Sequence, residues 1–355
     1  MLKSFNLGGT ELAPFVVTWA DIEQVKEVLL AKTTLLAGEL NIECSNINGQ
    51  FSPENQGSLF YGRNLFNTEA YIRLDGQLIF TGYLKSIDCD SDKKTASFKM
   101  QDILTIPADG VLPPQTLTGV DPMSAALALF NSMNLLYLVD VPSFLSAGIN
   151  STANGATVNV VISGNKGDSL LSVLDSLSDL SSVSIYVQNG LIRAKPFTIS
   201  GSGFAGLKQP ITPANVRSFG KRTTNWDIFN NSVTVGYGSS LIWTLTDPVS
   251  IAVTGITRNY AFSTGDSSEI LSVPNISSAQ YFATQYLARA ETPPITIDVT
   301  CGQEFMENVI GDRFPVTCPN WGYVSAPFEL IETHHQVTQN QVQMVLKNLS
   351  SNVVA

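Results

Sequence analysis

The sequence predicts a mainly β protein with a smaller α+β part. Short runs of alternating or β-branched residues are separated by turn pairs, of which Asp75-Gly76 and Asn189-Gly190 are the clearest. Both residues of such a pair adopt positive φ and match the twist of the strands they join. Apolar residues recur at helical spacing in a few stretches only. Of the 355 residues, 14% are charged and 44% hydrophobic, so a core-bearing protein is expected rather than a disordered one.

Taken in order, Phe15 to Trp19 is β-rich. Asp21 is a good N-cap, and Ile22, Val25 and Leu29 share a helical face, so a short helix is expected here despite β-type flanks. Thr33 to Leu36 and Leu40 to Cys44 are strand candidates, the second closed by Asn48-Gly49. Tyr71 to Leu74, Gln77 to Phe80, Tyr83 to Ile87 and Thr95 to Met100 form an antiparallel module. Pro113-Pro114 then marks a boundary, because proline fits neither a central strand nor a helix interior.

The period changes beyond it. Asp121-Pro122 is a helix start, with N-cap and proline at the first helical position, and Met123, Ala126, Leu127, Phe130 and Met133 share a face. Ser146 to Ala156 reads as loop and Val158 to Ile162 as strand. Asp168 caps a second helix carrying Leu170, Val173, Leu174 and Leu177 on one side. Val183 to Lys195 is a hairpin about Asn189-Gly190. After the glycine-rich stretch Gly201 to Gly206, Ser232 to Tyr237, Leu241 to Leu245 and Ile251 to Thr257 are β-type. Ser278 caps a third helix, stopped by Pro293-Pro294, and strands follow to the C-terminus. The expected division is 1–112 (β), 113–206 (α+β) and 207–355 (β), two β domains flanking an α+β domain.

Charge excludes one function class. Twenty Lys and Arg against thirty Asp and Glu give a net charge of −10, which lacks the basic footprint of a nucleic-acid binder. The N-terminus has no extended apolar region of the secretory type, and no window is long enough to span a bilayer. Cys44, Cys89, Cys301 and Cys318 have no CxxC spacing and read as free thiols in a reducing cytoplasm.

The motifs that resemble sites fail on their context. Gly201-Ser202-Gly203-Phe204-Ala205-Gly206 matches GxGxxG, but Leu207-Lys208-Gln209-Pro210 opens no helix to meet a pyrophosphate, so it reads as a linker. Asp88, Asp90 and Asp92 have calcium-loop spacing, yet Lys93 and Lys99 occupy the glycine and glutamate positions of such a loop. His334 and His335 point to opposite faces of a strand and cannot converge on one metal without a bulge. No nucleophile elbow or paired carboxylates stand out. No catalytic, cofactor-binding or metal residue is assigned, and no cofactor is expected.

Two sets of residues carry a family resemblance. Phe51-Ser52-Pro53, Tyr61-Gly62-Arg63, Phe80-Thr81-Gly82-Tyr83 and Asp102-Ile103-Leu104, in that order, resemble the first β-barrel of tail-hub proteins (baseplate hub or tail-tip hub) of long-tailed bacteriophages. Ala279-Gln280-Tyr281-Phe282-Ala283, Ala288-Arg289 and Gly311-Asp312-Arg313-Phe314 resemble the second hub barrel. The resemblance implies two β-barrels per subunit and a homotrimer whose six barrels adapt a sixfold tail tube to a threefold spike or tip. It implies a virion tail protein assembled in the host cytoplasm, without enzymatic activity. Its partners would be the tail tube protein, distal tail or baseplate proteins and a central spike or fibre, with DNA only passing through the channel. A β-rich adhesin or carbohydrate-binding protein is the alternative, and dispersed Trp19, Trp226, Trp243 and Trp321 favour the hub over it.

Overall fold

The computed structural model describes the chain except residues 1–2, 20–21, 26, 31, 35–38, 66, 164–168, 197–206, 226–228, 263–269, 291–292 and 350–355. A first sheet orders its strands as Thr10–Glu11, Lys3–Leu7, Glu69–Leu74, Gln77–Asp90, Thr95–Asp102, Glu39–Ser45 and Val16–Thr18. Alternation sets its faces: Leu40, Ile42 and Cys44 are buried while Glu39 and Asn41 are exposed. Asp75-Gly76 makes the expected turn, with φ of 49° and 87°. The runs on either side of Gly82 form one strand of 14 residues.

The sheet curls. Phe5 and Phe98 meet edge to face with ring centroids 5.8 Å apart, although two strands lie between theirs. A flat sheet would hold those strands about 14 Å apart. Phe51 and Phe60 fill the same interior, and all four rings are buried.

A second sheet runs Val216–Thr224, Ile295–Cys301, Gln341–Asn348, Tyr323–Gln336, Arg313–Cys318. Its two ends also approach each other. Phe219 of the first strand packs on Trp321 just beyond the last, at 5.8 Å, and Arg222 Nε donates to the Tyr323 hydroxyl at 3.2 Å. The long strand Tyr323–Gln336 further pairs with Ile22–Val25, placing Ile22 opposite His335. The helix expected after Asp21 therefore does not form; Ile22–Val25, Glu27–Leu30 and Lys32–Thr34 are strands. A strand edge offers backbone partners to a segment whose Val and Ile already favour extended structure, and that pairing overrides a short helical face.

The remaining elements build an α+β body. Asp121 caps helix Pro122–Ser132 as expected, accepting from the Met123 and Ser124 amides at 3.0 and 3.1 Å. Helix Leu170–Ser181 is capped by Ser169, Asp168 lying outside the described residues. Three readings are corrected. Ser146 to Ala156 contains the end of helix Val141–Ala147 and all of Ile149–Ala153 rather than loop. Ile251 to Thr257 is not a strand, since helix Pro248–Thr254 occupies most of it, capped by Asp247 through the Val249 amide. The third long helix is Ile276–Ala290, and Asn275 rather than Ser278 receives an amide at its start. The buried Ser278 hydroxyl instead accepts the Thr157 amide at 2.9 Å.

Two cores result. One joins the curled first sheet to the second, from Phe5 to Met100 together with Ile211 and Ile297 to Leu346. The other runs from Ile103 to Ala194 and takes in Val233 to Ala290. Residues 207–355 are thus shared between the cores: Ser232 to Ala290 pack with the α+β body.

Candidate functional site

Among the described residues no group of three or more His, Cys, Asp or Glu is placed to hold a metal ion. Asp90 accepts the amides of Asp92 and Lys93 at 2.9 Å each, which closes a hairpin turn, and Asp88 pairs with Lys99 at 2.7 Å across the strands. The Lys93 amide first, then the Asp92 amide and the Lys93 ammonium, hold the Asp90 carboxyl below its usual range. His335 is buried beside Ile22 and His334 points the other way. Burial pushes the His335 imidazole down to about 4, the His334 charge adding to the effect. The GxGxxG stretch lies outside the described residues.

Some of the residues singled out by sequence, among them Thr81, Asp102-Ile103-Leu104, Arg289 and Gly311-Asp312, lie at a joint between the two cores, whereas Phe51 is buried inside the first and Tyr61 is exposed. Asp102 accepts the Leu104 amide at 2.8 Å. The buried Ile103 and Leu104 then carry the chain out of the first core and into the second. Gly82 is needed because a Cβ there would lie 2.0 Å from the Gln101 carbonyl oxygen. Buried Thr81 faces the turn of hairpin Val183–Pro196, whose Gly190 lies against its side chain. Thr81 is therefore where that hairpin meets the first sheet.

The other end of the same hairpin reaches the second sheet. Lys195 Nζ lies 3.0 Å from Asp312 Oδ1, and Lys208 Nζ lies 3.6 Å from Oδ2. Gly311 turns at φ 84° and Asp312 receives the Val309 amide at 3.1 Å. The Asp312 side chain is only 6% exposed, so its partners matter more than those of a surface pair. Nearby, buried Arg289 donates to the Asp179 carbonyl at 3.3 Å and lies over Tyr286. Burial lowers its guanidinium to about 10, so it stays charged at neutral pH. Gln77 of the first sheet donates a side-chain hydrogen bond to Glu307, in the connection that precedes strand Arg313–Cys318 of the second. Lys195 and Lys208 carried no sequence signal; only the turn at Gly311-Asp312 did.

No family model and no curated protein matches the sequence. Solved structures do match, over nearly the whole chain. A tail protein from Neisseria meningitidis is 16% identical with a TM-score of 0.63, covering 98% of this chain and 96% of its own. A 43 kDa prophage tail protein from Shewanella oneidensis is 12% identical, with TM-score 0.58 and coverage of 97% and 96%. A prophage tail protein from Listeria monocytogenes is 13% identical, with TM-score 0.56 and coverage of 97% and 92%. The chain has the fold of phage tail proteins. At this identity the likeness is one of fold, and it covers the joint and both sheets, not a single motif. It agrees with the mainly β class and smaller α+β part expected from the sequence. Among the described residues no helix is long and apolar enough to cross a membrane.

Proposed function

We propose that this chain is a structural virion protein forming the hub at the distal end of a phage tail. Its two curled sheets serve as hub barrels, one built on residues 1–102 and the other on 207–224 and 295–349, and the α+β body is carried between them. As a homotrimer the chain presents six barrels, which adapts a sixfold tail tube to a threefold spike or tip. Its neighbours are the tube protein, distal tail or baseplate proteins and the central spike or fibre. The observation that carries this reading is the match of the whole chain, both sheets and intervening body together, to tail proteins. No chemistry is assigned to the subunit. Its role lies in interfaces and in a channel whose wall is acidic or neutral, in keeping with the net charge of −10. Such a wall repels a passing duplex over about 8 Å at physiological salt. A reconstruction of the tail with this protein labelled tests the proposal: density at the distal end with threefold symmetry is expected. Label elsewhere in the particle, or a channel lined by Lys and Arg, would overturn it.

A further inference from the structure

The three-stranded sheet of the α+β body, ordered Leu241–Thr246, Ser232–Tyr237, Asn259–Phe262, has one face in the core and one in solvent. Val233 and Val235 are buried, and Trp243 and Leu245 pair opposite them. Alternation sends Ile242, Thr244 and Thr246 outward, with Thr234, Asn259 and Ala261 on the same face. Ile242 is 66% exposed. Helix Pro248–Thr254 continues from the strand and exposes Val249 and Val253, at 71% and 59%, one turn apart.

Leu241–Thr246 is also an edge. Among the described residues no strand pairs with its outer side. It carries no Lys, no proline and no bulge, the devices by which lone edges are protected. An uncharged, β-prone edge left open in this way is a template for another strand.

The chemistry of the face selects its occupant. From Asn230 to Phe262 the charged residues are Asp247, whose carboxylate is engaged as the helix cap, and Arg258, whose guanidinium lies over the Phe229 ring at 5.1 Å. The outward polar groups are already joined. Thr244 donates to Thr234 at 3.1 Å, while Thr234 and Ser232 donate to Asn259 Oδ1 at 3.1 and 2.8 Å. Covering these bonded hydroxyls and the Asn259 Oδ1 costs less than covering unbonded ones, and no free carboxylate is desolvated. A basic partner would find no carboxylates to pair with. Two copies of a chain with net charge −10 repel each other over most of their surface, and a neutral face is where that repulsion is least.

We propose that this outer face and its free edge form a docking surface for a second copy of the chain. The proposal deepens the oligomeric part of the hub reading and locates a subunit contact on the α+β body.

The test is mass measurement of the purified full-length chain over a wide concentration range, for wild type, Ile242→Glu and Thr244→Glu. Tyr137→Glu serves as a control at an exposed residue elsewhere on the body. Wild type and control are expected to self-associate alike, and both glutamate variants to weaken association by tenfold or more through like-charge repulsion. Ile242→Lys, which adds the opposite sign to an acidic chain, should weaken it less than Ile242→Glu. Melting curves establish that each variant is folded; a variant that is not is replaced by Thr246→Glu on the same face. A wild-type chain monomeric throughout, or association unchanged by the face variants, overturns the proposal. Either result leaves the tail labelling experiment, and with it the hub reading, to stand or fall by itself.

Discussion

Glycine 82 and histidine 335 show at the residue scale how single groups set the tolerance of the fold. No methyl group fits at Gly82 without moving the Gln101 backbone. Gly82→Ala is therefore expected to destabilise by about 3 kcal/mol, at the upper end of overpacking costs, read as a lowered denaturation midpoint. Among the described residues the buried His335 Nδ1 has no hydrogen-bond partner, and burial lowers its imidazole to about 4. The sign follows from linkage. Between the folded value of about 4 and the unfolded value near 6.5, the unfolded chain binds more protons. Stability is complete above that window and is lost as pH falls through it, by on the order of 3 kcal/mol. Replacing the ring by His335→Leu should flatten the dependence between those pH values. An unchanged slope would show that carboxylates elsewhere carry it.

Elements meet at the hairpin Val183–Pro196, which touches Thr81 at its turn and Asp312 at its base. Asp312→Asn keeps the shape but removes the charge seen by Lys195 and Lys208. Both lysines are partly exposed, so the expected loss is modest, about 1 kcal/mol, and it shrinks at high salt. Asp312→Ala also removes the acceptor of the Val309 amide and should cost roughly 2 kcal/mol with little salt dependence in the added part. Thermal melts at low and high salt separate the two. At this scale the sequence was legible where a signal is local. Asp121-Pro122, Asp75-Gly76 and Asn189-Gly190 act within four residues, and each did what its chemistry predicts. Asp247-Pro248 carries the same helix-start signal as Asp121-Pro122, but the β-branched residues after it masked it. Ile22–Val25 became a strand because of a partner more than 300 residues away, in Tyr323–Gln336, which no local pattern records. The joint was half legible for the same reason: Gly82 and Gly311-Asp312 stand out in sequence, whereas Lys195 and Lys208 acquire meaning only from what faces them.

On the scale of the whole molecule, the chain passes repeatedly between two cores: it leaves one at Asp102, returns to it at Ile211 to Phe219, departs again for Val233 to Ala290 and returns in the C-terminal strands. The cysteines report on this division. Cys44 lies in the first sheet and Cys301 in the second, both fully buried, with burial raising each thiol to about 12. Cys318 is buried and Cys89 exposed. The native chain should therefore react rapidly at one thiol and the denatured chain at four. Because Cys44 and Cys301 belong to one core, unfolding that core must expose both. Labelling at increasing denaturant, with each site quantified by mass, should give the two thiols the same midpoint. The α+β body has no cysteine, but Trp243 packs against its core. With Trp19 and Trp321 replaced by phenylalanine and Trp226 by tyrosine, tryptophan fluorescence reports that body alone. Apart from Ile103, Leu104 and Tyr83, the contacts at the joint are ionic and polar, a weaker bond than a continuous apolar seam, so the body should lose its fold at a midpoint different from that of the thiols. Separate midpoints for Cys44 and Cys301 would instead mean that the two sheets unfold as independent barrels. The seam of the molecule would then run between the sheets, with the hairpin and its Asp312 clamp holding two domains together.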